Sequence, residues 1–309
     1  MRFEATLTDF LSRSNQGVAQ HLLGSKRLSL DQEKIPVQTV AMNSVLPGRT
    51  PLTPIAVNIE MWFEGDFVSR IEQAAALGFP AIELWTWKDK DLAAGAAALN
   101  KHGMTATQFT AWGFGKEIND PAFPVSTFVE EIERCCEASK LLPGCELMTV
   151  VGGDNIPGLT KEEMHAAVIE KLRAAVPVLE RHGKTVILEP MNPYNHPDHC
   201  LYGSADGITI CEAVGSEHVK LNWDLFHMQR YEGNLIDNLR KGAKWIGYVQ
   251  FADSPDRHEP RTGEVRYEEL FREVRNLGLP LPLGAECIPF EGDVVRAAMR
   301  LFEVDAASK

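Results

Sequence analysis

No run in this 309-residue chain comes near the ~18 consecutive apolar residues that a membrane-spanning helix needs, so no span and no membrane partner are expected. Basic charge is also short. With 31 Lys and Arg against 43 Asp and Glu, the formal charge of −12 disfavours a nucleic-acid partner, because phosphate binding needs clustered cations. The six cysteines (Cys135, Cys136, Cys145, Cys200, Cys211, Cys287) include neither a CxxC pair nor a zinc-ligand spacing. Most fall within apolar stretches, as reduced core thiols do, which points to a cytoplasmic chain. The N-terminus lacks a basic head followed by an apolar stretch, since Val18–Leu23 is interrupted by Gln20 and His21; a secretory signal is not expected. No GxGxxG follows the first strand-like run, which removes the anchor of a dinucleotide-binding open sheet.

What is present is a strand–helix alternation beginning at Ile55. Strand-like runs cover 55–63, Ala81–Trp87, Met104–Thr110 and Leu147–Val151, and then Thr185–Glu189, Val219–Asp224, Trp245–Gln250 and Leu281–Glu286. Helical patterns separate them over Asp66–Leu77, Lys90–His102, Pro124–Leu141, Thr160–His182, Ser204–Val214, Met228–Lys241 and Tyr267–Asn276, with a last one over Asp293–Glu303. Gly78, Gly103 and Gly183 sit where C-caps belong, and Thr160 with Glu163 matches a capping box. Eight such pairs within residues 55–309 predict an α/β fold, a (β/α)8 TIM barrel forming one catalytic domain. Residues 1–54 differ. They combine amphipathic helical pieces with a linker punctuated by Pro36, Pro47, Pro51 and Pro54. This segment reads as an N-terminal extension that packs on the barrel, covers its base or mediates contacts in a homo-oligomer, with a partly disordered tail as the alternative.

The last four strand-like runs each end on a metal-capable polar residue: Glu189, Asp224, Gln250 and Glu286. In a parallel barrel all strand C-termini meet at one mouth, where active sites are built. Three carboxylates and an amide gathered there make an all-oxygen cation site, which favours Mg2+ or Mn2+ over zinc. Alternation places Lys220, Asn222 and Asp224 on the inward face of their strand, with Leu221 and Trp223 toward the helices. A single Asp at a strand end is ordinarily an N-cap for the next helix. Four such residues on consecutive strands, two of them glutamates, are hard to explain as caps.

The segment 250–267 concentrates charge, and Arg257 and Glu259 stand out as an anion-recognising fork and its orienting carboxylate. His227, three residues past Asp224, is placed to bind substrate. Trp62, Trp85, Trp112 and Phe114 are candidate pocket walls, each with a core role as the alternative.

The segments 223–235 (WDLFHMQRYEGNL), 249–271, 188–192 (LEPMN) and 284–287 (GAEC) closely resemble the hydroxypyruvate isomerase family within the xylose isomerase-like barrels. The resemblance spans roughly residues 55–305. It implies that Glu189 and Glu286 are an acid–base pair and that Glu189, Asp224, Gln250 and Glu286 hold a divalent metal. Gln250 stands where related ketose 3-epimerases place His, and so leans toward the hydroxypyruvate isomerase branch. The implied activity is aldose–ketose isomerisation of a small α-hydroxycarbonyl compound by enediolate proton transfer, with a small-molecule carbonyl or sugar as substrate. A ketose 3-epimerase and a non-catalytic sugar-binding barrel remain the alternatives.

Overall fold

The computed structural model describes residues 46–114 and 117–309. Its eight strands are β1 (Ile55–Asn58), β2 (Ala81–Leu84), β3 (Thr105–Trp112), β4 (Leu147–Val151), β5 (Thr185–Glu189), β6 (Val219–Asp224), β7 (Ile246–Phe251) and β8 (Leu283–Ala285). Each pairs in parallel with its sequence neighbours, and β8 closes on β1, giving the expected closed barrel. The helices outside it are α1 (Ile59–Trp62), α2 (Phe67–Leu77), α3 (Leu92–His102), α4 (Val125–Ser139), α5 (Lys161–His182), α6 (Gly203–Val214), α7 (Leu225–Tyr231), α8 (Leu235–Gly242), α9 (Tyr267–Asn276) and α10 (Val294–Ala307). Among the described residues no helix is long and apolar enough to cross a membrane. The proposed N-terminal extension lies outside the described residues except for 46–54, where Leu52 N donates to the Asp305 carboxylate of α10.

Two elements differ from the sequence reading. The apolar run 55–63 is strand only to Asn58, whose side chain accepts from Glu60 N and Met61 N and starts α1. Short apolar runs do not distinguish strand from helix by periodicity alone. The helix expected over Met228–Lys241 is broken in two by Gly233 (φ 62) and Asn234 (φ 47), both in the left-handed region that ends helices. The capping box of α5 forms as read: Glu163 N donates to Thr160 Oγ1 at 3.2 Å and Thr160 N to Glu163 Oε2 at 2.8 Å.

The apolar core lies between strands and helices, and the sidedness of β6 shows how. A Cβ on Gly242 of α8 would come within 2.4 Å of the Trp223 ring, and one on Gly207 of α6 within 2.9 Å of Leu221. These glycines let helices close tightly over outward strand residues. The barrel interior is instead polar. At its centre Glu83 of β2 is fully buried; its Oε1 accepts from Asn58 Nδ2 (3.1 Å) and Gln250 Nε2 (2.9 Å), and its Oε2 from Tyr248 Oη (2.9 Å). Gly284 of β8 makes room for this cluster, because a Cβ there would lie 2.4 Å from Glu83 Oε2.

Candidate active site

β6 ends on Asp224, and its two carboxylate oxygens do different work. Oδ1 accepts from Phe226 N at 2.8 Å and caps α7. Oδ2 is buried without a hydrogen-bond partner and faces the mouth. The cap and the ligand readings of this residue are therefore compatible. Around Oδ2 stand His227 Nε2 at 3.5 Å and Arg257 Nη2 at 3.6 Å. His227 Nε2 is also 3.7 Å from Glu189 Oε1, and potential ligand atoms of Glu189, Asp224 and His227 lie within 4.8 Å of one another.

Glu286, just past β8, closes the opposite side. Its Oε2 accepts from Arg257 Nη2 at 2.7 Å and its Oε1 from Trp85 Nε1 at 3.0 Å. Arg257 reaches the mouth because the loop after β7 is folded around Asp253. That carboxylate accepts the backbone N–H groups of Ser254, Thr262, Gly263 and Val265. Arg257 then turns inward at φ 61, its backbone held by Asp253 and Ile288, and its guanidinium packs over the Phe226 ring at 5.1 Å.

Two residues singled out in the sequence stand elsewhere. Glu259 does not orient Arg257: its Oε2 accepts from Phe290 N at 2.8 Å and its Oε1 pairs with Arg300, so it ties the loop to α10. Gln250 turns toward the barrel centre, giving Nε2 to Glu83 and receiving Asn222 Nδ2 on Oε1. With one lone pair taken by Asn222, the amide oxygen keeps a second. Of the aromatic candidates, Trp85 lies at the mouth and Phe114 stacks on the His196 ring at 4.7 Å. Trp62 packs on Phe79 and Trp112 on Phe128, as core. Sequence reasoning missed Glu83, Asn192 and the Trp85–Glu286 bond. For Glu83 a signal existed, a carboxylate at mid-strand in an apolar run.

Electrostatically the mouth is overloaded with acid. Glu83, Glu189, Asp224 and Glu286 are all buried, and among the described residues Arg257 is the only Lys or Arg paired with any of them. Burial, then the charge of Glu286, pushes the Glu83 carboxyl up to about 8. Burial raises Asp224 to about 7 against the opposing pull of Arg257. Glu189 is pushed well above the usual carboxylate range by burial and by Glu286 and Asp224. Burial holds the His227 ring neutral, with Arg257 adding to the effect. Buried acids that resist ionisation, set around an orphaned carboxylate oxygen, fit a divalent cation, which would favour their charged forms.

Comparison with known proteins agrees with this architecture. The family model described as a xylose isomerase-like TIM barrel matches residues 71–303. A hydroxypyruvate isomerase of Escherichia coli is 31% identical over 228 residues, covering 72% of this chain and 88% of the relative. A 2-oxo-tetronate isomerase of Cupriavidus necator is 32% identical over 244 residues, covering 77% and 93%. A solved Brucella melitensis structure titled AP endonuclease, family 2, superposes with a TM-score of 0.71 at 26% identity, covering 77% of this chain and 94% of that one. A closed parallel barrel, an acidic mouth at its strand ends and these relatives agree: the chain belongs to the xylose isomerase-like TIM-barrel family and is an enzyme of the isomerase class.

Proposed function

We propose that the protein is a divalent-metal-dependent isomerase of a small α-hydroxycarbonyl acid, with hydroxypyruvate and 2-oxo-tetronates as the leading substrates. The observation that carries this reading is Asp224 Oδ2, a buried carboxylate oxygen with no hydrogen-bond partner, set beside Glu189, His227 and Arg257. Glu189 and Asp224, completed by Glu286 and the free lone pair of Gln250, would hold Mg2+ or Mn2+, the hard ions that an all-oxygen set prefers. When bound, such an ion supplies a Lewis acid that polarises the substrate carbonyl and the neighbouring hydroxyl.

The rest of the chemistry belongs to the chain. Glu189 accepts no hydrogen bond among the described contacts, which leaves its carboxylate free to remove the proton on carbon. Glu286, fixed by Trp85 and Arg257, faces it as the partner that returns a proton to the adjacent carbon. His227 offers Nε2 to a substrate oxygen that becomes negative in the enediolate. Arg257 carries a buried Nε without a partner, a donor suited to a substrate carboxylate. The relatives named for hydroxypyruvate and 2-oxo-tetronate act on acids of this kind, which supports the choice. The formal charge of −12 weighs against a nucleic-acid substrate. All six cysteines are unpaired and buried, as suits the cytosol.

The test is a screen of hydroxypyruvate, tartronate semialdehyde, 2-oxo-tetronates and ketoses with Mg2+ or Mn2+, identifying products by NMR. The small acids are expected to isomerise, and EDTA to stop them. Faster conversion of a neutral ketose than of any acid would move the assignment to a 3-epimerase. No turnover of any of them would contradict the proposal.

A further inference from the structure

The ring of His227 is the one nitrogen donor in the group around Asp224, and at first sight it completes a metal-binding triad with Glu189 and Asp224. Its other nitrogen says otherwise. Asn192, in the loop after β5, places its side-chain amide 2.7 Å from His227 Nδ1. Which end of the amide faces the ring is settled by the backbone. Tyr194 N and Asn195 N both donate to Asn192 Oδ1, at 3.0 and 3.1 Å. Reversing the amide would set its NH2 against two N–H groups that have nothing to accept. The NH2 therefore faces the ring, and His227 Nδ1 must be the acceptor. A neutral imidazole that accepts at Nδ1 carries its proton on Nε2.

That proton points into the mouth. At 3.5 Å from Asp224 Oδ2 and 3.7 Å from Glu189 Oε1, Nε2 is too far from either for a good hydrogen bond, so its N–H remains available. A metal needs a lone pair at this atom, and histidines that bind metals through one nitrogen donate from the other to an acceptor. Asn192 presents a donor instead. Both Asn192 and His227 are buried, so water does not compete for the contact.

We propose that Asn192 is a positioning residue that fixes His227 in its Nε2–H form, keeping the ring off the metal and making it a hydrogen-bond donor to the substrate oxygen. The donor role rests on the isomerase reading above; the tautomer does not. Asn192→Asp is the informative change. Its Oδ1 would still accept from Tyr194 N and Asn195 N, while Oδ2 would accept a proton-bearing Nδ1 and free a lone pair at Nε2. The ring would then become a nitrogen ligand beside Glu189 and Asp224, a set that suits zinc better than Mg2+.

The experiment is two-bond 1H–15N NMR of the full-length chain labelled at histidine nitrogens, without metal and with Mg2+. The His227→Gln spectrum identifies the resonances of this ring among the nine histidines. The wild-type ring is expected to show a protonated Nε2 and an unprotonated Nδ1 in both states. A protonated Nδ1 would overturn the proposal, whether or not any isomerase activity has been found. Asn192→Asp is expected to invert the pattern, tighten Zn2+ binding about 10- to 100-fold by competition titration, and lower turnover with Mg2+ about 100-fold. An Asn192→Asp protein that keeps the wild-type tautomer would show that Asn192 does not set it. Should that variant not fold, a protonated Nδ1 in the wild-type ring would still overturn the proposal.

Discussion

Glu189→Gln is expected to lower turnover by about 10²- to 10⁴-fold, the usual contribution of a positioned acid–base group, while raising the melting temperature of the metal-free protein. The two effects have one cause. Glu189 is buried beside Asp224 and Glu286, and burial plus these charges resists its ionisation. An uncharged amide of the same shape removes that repulsion and also removes the base. Stability and activity are thus expected to move in opposite directions, as at sites where function holds charges together. Kinetics and thermal unfolding of the same preparation check both. A variant with wild-type turnover would remove Glu189 from the chemistry, and a less stable metal-free variant would show that the buried charge is not the source of strain.

The second large effect is on the pH dependence of stability. Glu83 and Asp224 have folded-state values near 8 and 7, above their ordinary 4.5 and 3.8, and Glu189 shifts in the same direction. The native state therefore binds more protons than the unfolded chain across this interval, and the stability contributed by these groups falls as pH rises. The contribution is full below about pH 4 and is lost progressively up to about pH 8. A divalent cation supplies the missing positive charge and needs the ligands deprotonated. Mg2+ or Mn2+ is therefore expected to raise the melting temperature little near pH 5 and strongly near pH 8. At 100 times the dissociation constant the stabilisation is about 2.7 kcal/mol. Unfolding of EDTA-treated and metal-loaded protein at the two pH values tests this, and an equal metal effect at both would contradict it.

Much of this was legible in the sequence because strand ends are local features. Glu189, Asp224 and Glu286, which close three of the last four strand-like runs, lie near the barrel mouth, since parallel strands share one C-terminal end. The inward face of β6 followed from alternation, and Asp224 is placed there with one oxygen left free. The Gly233–Asn234 break was also present in the sequence as a turn signal inside a helical pattern. Other features depend on contacts between distant strands. Glu83 is accommodated because Gly284, on a strand at the other end of the chain, has no side chain. Gln250 points inward because Glu83 and Asn222 hold it there. Glu259 and Arg257 are two residues apart, yet the tight backbone turn at Arg257 sends one side chain to Glu286 and the other to Arg300. The role of Asn192 depends on which end of an amide faces a ring, a distinction that no spacing encodes.

In the proposed reaction, carboxylates at the barrel mouth move a proton between two carbons of the substrate. Running the reaction in D2O with metal-loaded enzyme and locating deuterium in the product by NMR tests it most directly. Deuterium at the carbon that receives the proton is the expected result, and it should vanish together with turnover in Glu189→Gln. Full conversion to unlabelled product would contradict delivery of a solvent-derived proton by Glu286.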